Sequence, residues 1–328
     1  MAQQELQQLF LQSVTLNDQL IPREWIIACV YIEKASLAGP LLKLEIRDMT
    51  GTVIDDWKAK YGARLVAEMG DPEGEKESFS TVFFVTSATL GSDVVTLIAV
   101  SEEVRQMKIP SSITRMHTNK TPSEVFAVYA KGLTLDLDNQ KRAITYYLTA
   151  GDKPSKMLSQ IAQDKASLVF VCRGSFYFRS LDELMKQKTA FVYEANNPKA
   201  DYAISKMSPI HQDYASTSGT KYRFVGYSMT DGYIEVGDPS LPVRHVSDAD
   251  METLRNMLRA LIPKLDIEVD GNPNIRPGMA IEILIYRYDA ENQIDESIPQ
   301  KMIIKNVAHY EDRVGYTTRM LLGVPSDV

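Results

Sequence analysis

At 328 residues, with 44% hydrophobic and 24% charged side chains, the chain holds enough apolar material for two or three folded domains and is not a disordered linker. A formal net charge of −7 argues against a nucleic-acid-gripping surface, which needs clustered Lys and Arg to neutralise phosphate. The longest uninterrupted apolar run, Trp25–Ile32, is eight residues, far below the roughly 20 of a membrane-spanning helix, so no membrane insertion is expected.

Residues 2–12 are glutamine-rich, with Leu6, Leu9 and Phe10 at i, i+3, i+4 spacing. They read either as a short amphipathic docking arm or as a frayed terminus. The first ten residues carry no basic stretch followed by an apolar one, so no signal peptide is expected. Glu24–Lys34 predicts a strand, Gly39-Pro40 a turn, and Leu42, Leu44 and Ile46 alternate with Lys43, Glu45 and Arg47 in the next strand. Ala63–Met69, Thr81–Thr89 and Val94–Val100 are further strands, and the polar stretch Gly70–Ser78 reads as a solvated loop. Cys29 and Cys172 lie far apart in apolar, strand-like settings and read as two buried thiols of a protein made in a reducing cytoplasm.

The middle of the chain changes character. Thr121-Pro122-Ser123-Glu124 has the chemistry of a helix start: a capping hydroxyl, proline in the first turn and an acid at the positive end. Gly132 ends that helix and Leu133–Leu137 follows as a strand. A second unit opens at Asp152-Lys153-Pro154-Ser155, runs as a helix to about Asp164, and continues into strands Ser167–Cys172 and Ser175–Arg179. Asn196–Ser218 reads as a long polar connection, Tyr222–Tyr227 and Gly232–Val236 as strands returning to the final module, and Asp248–Leu261 as a helix.

From Leu265 to Val324 the pattern is strand-rich again. Leu265, Ile267 and Val269 alternate with Asp266, Glu268 and Asp270; Gly271, Pro273, Pro277 and Gly278 form two turn signals. Met279, Ile281, Ile283 and Ile285 then share one face, and strands around Met302–Ala308 and Val314–Leu322 close the series. This stretch also reads as a repeat of the first. Tyr61–Glu68 aligns with Pro277–Leu284, Val82–Thr89 with Met302–His309, and Val94–Val100 with Val314–Met320. Identity between the copies is low, and two unrelated antiparallel meanders would align in a similar way. The expected fold is mainly β with an α+β insert: two similar antiparallel β-barrels flanking a helix-containing middle, with boundaries at 1–108, 109–200 and 201–328.

The strand, the Gly271-Asn272-Pro273 turn, Pro277-Gly278, the alternating strand and the last hairpin with His309 and Tyr316-Thr317-Thr318 resemble the closing barrel of tail hub proteins. These are the central baseplate proteins of contractile phage tails and the related spike-base segment of type VI secretion. Leu42–Asp48 and Asp55–Gly62 look like that family's first barrel, and the helix-then-strand units ending in Phe176-Tyr177-Phe178-Arg179 like its insert. The resemblance implies a non-enzymatic homotrimer in the virion tail baseplate, made in the host cytoplasm. It implies tail tube or distal tail protein and central spike as partners, with tape-measure and baseplate wedge proteins nearby. The sequence has no long repetitive β tail, so any spike is expected to be a separate polypeptide. Asp266, Glu268 and Asp270 are candidates to face an axial channel, a solvated outer face being the alternative.

Residue patterns for catalysis or cofactors are weak. His117, His211, His245 and His309 are scattered, with no pair at i, i+4 and no cysteine cluster for zinc, and no cofactor is expected. Asp136-Leu137-Asp138 begins like a calcium loop, but Lys141 replaces its glycine and Tyr147 its final glutamate. A wall hydrolase or glycan-binding module is the alternative from a different class. For it, Asp231 and His211-Gln212-Asp213 are the candidates, each reading more simply as a turn or loop residue.

Overall fold

The computed structural model describes residues 10–70, 78–210, 222–246, 249–287 and 293–326. The first module comprises β1 (Leu11–Leu16), β2 (Gln19–Leu20), β3 (Ile26–Lys34), β4 (Leu41–Arg47), β5 (Arg64–Gly70), β6 (Ser78–Gly91), β7 (Val94–Ser101) and the helix α1 (Glu102–Lys108). The insert follows with β8 (Arg115–Lys120), α2 (Pro122–Tyr129), β9 (Thr134–Leu137), β10 (Ile144–Leu148), α3 (Pro154–Asp164), β11 (Ser167–Cys172), β12 (Ser175–Ser180) and α4 (Leu181–Lys186). Then come β13 (Val192–Ala195), β14 (Ile204–Pro209), β15 (Arg223–Ser228), β16 (Gly232–Val236), β17 (Val243–Val246), α5 (Met251–Leu258), β18 (Leu261–Asp270), β19 (Ala280–Ile285), β20 (Lys301–Asp312) and β21 (Tyr316–Pro325).

Local chemistry explains the best-marked elements. On β4 the apolar Leu42, Leu44 and Ile46 are buried and the intervening Lys43 and Glu45 are not, the period-two pattern of a sheet with one dry face. α2 has a full capping box, with Thr121 and Glu124 satisfying each other's backbone N–H groups and proline in the first turn.

Strands of both halves form one 13-stranded sheet. In the first half the order is β3-β4-β7-β6-β5-β1, with β2 at the end; in the second it is β14-β18-β21-β20-β19-β13. The two orders correspond strand for strand, although β13 meets β19 in parallel where β1 meets β5 antiparallel. The detail repeats as well. Gly62 N donates to Val85 O at 2.8 Å and Val85 N to Ala63 O at 2.9 Å, while Gly278 N donates to Ile304 O at 2.8 Å and Ile304 N to Met279 O at 2.9 Å. Both glycines have positive φ, +84° and +82°. β6 slips register against β7 after Val85, and β20 against β21 after Ile304. The repeat read from the sequence is therefore a repeat of structure, with Val85 opposite Ile304, one residue from the sequence alignment, and Ala99 opposite Leu322, three residues from it.

Each half curls on itself. β1 and β3 stand at opposite ends of the first ladder, yet Phe10 packs against Tyr31 with ring centroids 6.0 Å apart. Among the described residues no ladder closes that seam; Glu311 on β20 spans it instead, accepting from Leu11 N at 2.7 Å and pairing with Arg23. In the second half a single bridge between Glu194 and Ala203 brings β13 to β14. β20 joins the halves. Its first residues pair with β19, and Asn306–Asp312 pair on that side with β3.

Several expectations are corrected. Asn196–Ser218 is not all connection, since β14 pairs antiparallel with β18; its mostly exposed side chains give no alternation to read. β15 and β16 do not return to the second module's sheet. With β17 they form a separate three-stranded sheet packed on α5. α5 is shorter than Asp248–Leu261 because Arg259 is already extended and Leu261 pairs with Pro325. β3 begins at Ile26, after a 3-10 turn at Arg23–Trp25. Residues 1–9, most of the expected docking arm, lie outside the described residues; Leu11 onward is strand. Residues 71–77 of the polar loop and His211-Gln212-Asp213 also lie outside them.

Candidate functional site

β11 and β12 are joined by Arg173-Gly174, both at positive φ (49° and 75°), the backbone of a two-residue hairpin turn that matches strand twist. The tip is held by Gly174 N donating to Glu103 Oε1 on α1 at 2.9 Å. Burial raises the Glu103 carboxyl above the usual range, opposed by that hydrogen bond. The turn drives Arg173 into the centre of the molecule, where its side chain is 1% exposed. There Arg173 Nη2 lies 3.1 Å from Glu33 Oε2 on β3. Its Nη1 donates to Pro273 O at 2.7 Å and its Nη2 to Ile275 O at 3.0 Å. The guanidinium also covers the Phe79 ring at 4.2 Å.

Glu33 is satisfied from other directions too. Tyr31 Oη donates to its Oε1 at 2.8 Å and Cys172 Sγ at 2.9 Å. Burial, with Glu33 adding to it, pushes both the Tyr31 hydroxyl and the Cys172 thiol well above their ordinary values. His309 on β20 is fully buried, stacks on Phe10 at 4.7 Å and bonds Tyr316 Oη through Nδ1 at 2.8 Å. Burial, and then the Arg173 charge, hold its imidazole well below the usual histidine range, so it stays neutral. First module, insert and second module thus meet at one desolvated ion pair, which is costly to break because either partner alone would be a buried, uncompensated charge.

The turn residues singled out in the sequence build the socket for this node. A Cβ on Gly271 would stand 2.0 Å from the Tyr316 ring, and one on Gly278 would meet Phe170 at 2.7 Å. Pro273 supplies its carbonyl to Arg173, and Pro277 precedes Gly278, whose N–H bonds β20. Asp266, Glu268 and Asp270 lie on the outer face of β18, away from its buried row. Asp266 is bound by Arg319 at 2.7 and 2.9 Å and Glu268 by Lys206 at 2.7 Å, so cross-strand partners neutralise two of the three.

Other candidates have structural employment. Asp231 lies in the β15–β16 turn, its N–H bonded to Ser228 Oγ at 3.3 Å. Asp136 and Asp138 both pair with Arg179. His117 bonds Tyr129 Oη at 2.9 Å, and both cysteines are free and buried. Among the described residues no group of three His, Cys, Asp or Glu could hold a metal, and no helix is long and apolar enough to cross a membrane. Arg173, Glu33 and Glu311 were missed. The available signal was a charge inside an otherwise apolar strand, as in Tyr31-Ile32-Glu33, but its partner lies 140 positions away.

No family model matches the sequence, and no curated protein matches it. Solved structures do. The 43 kDa tail protein of prophage MuSo2 from Shewanella oneidensis superposes with a TM-score of 0.61 at 12% identity, over 94% of this chain and 97% of its own. A tail protein from Neisseria meningitidis MC58 gives 0.62 at 11% identity, over 95% of each chain. The fold is that of phage tail proteins. The E. coli c3393 protein, a type VI secretion component described as similar to bacteriophage T4 tail proteins gp27 and gp5, shares this tail-protein fold with a TM-score of 0.58 at 8% identity, over 96% of this chain and 77% of its own.

Proposed function

We propose that this chain is a structural baseplate hub that joins the end of a sixfold tail tube to a threefold central spike around an axial channel. The correspondence of the two sheet halves carries this reading: strand order, bulge and glycine entry all repeat. Three copies about one axis present six similar units to a hexameric tube ring, and closed cyclic symmetry satisfies such contacts without runaway polymerisation. The insert occurs once per chain and so presents threefold features, suited to a trimeric spike. The buried Arg173–Glu33 node fixes all three modules as one body, as a load-transmitting adaptor requires. A hub of a secretion-type injection machine is the second reading, favoured by the likeness to the type VI component. Tail tube, tape-measure and spike genes beside this one would select the phage setting, and secretion genes the other.

The role is non-enzymatic, and purified protein is expected to leave peptidoglycan suspensions turbid; clearing that Asp231→Asn abolishes would overturn it. The β18 face carrying Asp266, Glu268 and Asp270 is proposed as channel wall, since a wall without net positive charge does not hold DNA by counterion release. An assembled ring with a lumen lined mainly by Lys and Arg would refute that. Co-expression with the spike, followed by mass from light scattering, tests the assembly. Three copies are expected, and two, four or six would reject the hub reading.

A further inference from the structure

Where α3 and β10 of the insert meet α5 and β17, the surface opens into a cavity of about 360 Å3, within the range of about 300–1,000 Å3 usual for ligand clefts. Its lining mixes apolar and cationic side chains. Ile144, Leu148, Met157, Ile161 and Met257 line it with apolar side chains, and Arg142, Lys165 and Arg244 line it with cations. Lys165, in the residue after α3, is only 8% exposed. Burial and then the neighbouring Arg142 lower the affinity of its amine for a proton. Among the described residues Arg142 is paired with Asp250 and Lys156 with Asp152, whereas neither Lys165 nor Arg244 forms an ion pair. Arg244 instead lies over the Tyr222 ring at 5.9 Å.

The two acids that line the cavity, Asp152 and Asp164, are outnumbered by four cations, Arg142, Lys156, Lys165 and Arg244. Asp164 is raised to about 6 by burial, against a 2.8 Å hydrogen bond from Gln160. Tyr146, 6% exposed, adds an enclosed hydroxyl without a hydrogen-bond partner. Such an unsatisfied group costs about 1–3 kcal/mol, a penalty that an acceptor seated deep in the cavity would remove. An excess of cations, two of them in no ion pair among the described residues, an orphan hydroxyl and apolar lining residues call for one kind of occupant.

We propose that this cavity binds a carboxylate carried on an apolar body, held by Lys165 and Arg244 with its hydrocarbon against Met157, Ile161 and Met257. The carboxylate comes either from the end of a partner polypeptide or from a free aliphatic acid. The site stands apart from the three-module node, so it does not depend on the hub reading.

The test is NMR titration of the full chain with three probes: acetyl-Ala-Leu-Phe as the free acid, the same peptide as its C-terminal amide, and octanoate. Saturable shifts of α3, β10 and β17 signals are expected with at least one acid probe and not with the amide. The free-acid peptide binding alone identifies a chain terminus, and octanoate binding alone identifies a free acid. Lys165→Met and Arg244→Met are each expected to weaken binding roughly tenfold, the loss of one charge-assisted hydrogen bond. Thermal melts of both variants check that the fold is intact. Equal binding of acid and amide, no shift at millimolar acid, or unchanged affinity in both variants would overturn the proposal.

Discussion

Arg173 and Glu33 illustrate how one pair can hold a molecule of three modules. Each is dry, and each is bonded to more than its counter-charge. Arg173→Met removes the cation but leaves Glu33 buried, so a loss of about 3–5 kcal/mol is expected in denaturant unfolding. The double variant Arg173→Met, Glu33→Gln should recover part of it, because no lone charge then remains inside. His309 adds a pH dependence of definite sign. Its folded-state pKa is depressed well below 6.5, so below that pH the unfolded chain binds a proton that the folded chain does not. Stability conferred by the neutral ring is present above pH 6.5 and is lost as pH falls towards the folded value, by up to about 1.4 kcal/mol per pH unit. The charged and titratable groups around it, Arg173, Glu33, Tyr31 and Tyr316, enclose it from β3, β21 and the insert hairpin. Asp164 acts in the opposite sense, its raised pKa favouring the fold at low pH. Comparing wild type with His309→Gln between pH 7.5 and 5 cancels that contribution, and the wild type alone should show the extra acid loss. Parallel stability curves would exclude His309 as the source.

Among the elements, β20 and the first residues of β1 show where a curled sheet is closed by a side chain instead of a ladder. Glu311→Ala leaves Leu11 N–H without its acceptor and Arg23 without its ion pair. Hydrogen exchange should quicken along Leu11–Leu16 and stay unchanged in β18, whose two neighbours remain; equal change in both would mean global destabilisation instead. Gly271→Ala would press a methyl into the Tyr316 ring and should cost about 1–3 kcal/mol, the usual range for overpacking. Much of this level was legible in the sequence. Wherever one face is buried, as in β4 and β18, alternation located the strand and its inward residues. β14 escaped because its burial does not alternate, and β15 and β16 were found but given the wrong sheet, since strand pattern does not name a partner. The turn at Gly271–Gly278 was visible as chemistry. That it receives Arg173 was not, because two carbonyls carry the contact and a carbonyl has no sequence signature.

At the scale of the whole molecule, the repeat says which edges an assembly should use. Within the chain, the halves join where Asn306–Asp312 of β20, beyond its pairing with β19, take the outer edge of β3. In the matching strand orders β6 stands for β20 and β14 for β3. β6 has the same free stretch: it pairs with β5 only up to Phe84, leaving Ser87–Gly91 bonded on the β7 side alone. β14 pairs with β18 on one side, and among the described residues no strand pairs with its other side along Ile204–Pro209. Unpaired edges of this kind are aggregation hazards unless something covers them. If six similar units form a ring, the contact between neighbouring chains should copy the contact within a chain. β14 of one copy would then add to β6 of the next at Ser87–Gly91. Hydrogen exchange on the free chain and on the chain co-expressed with the proposed spike partner would decide this. Backbone amides of Ser87–Gly91 and Ile204–Pro209 are expected to gain protection together on assembly, while those of β4 and β7, already paired on both sides, stay as they were. Protection of one segment without the other would reject this pairing, and an assembled ring in which both keep exchanging freely would show that the two kinds of contact are not equivalent.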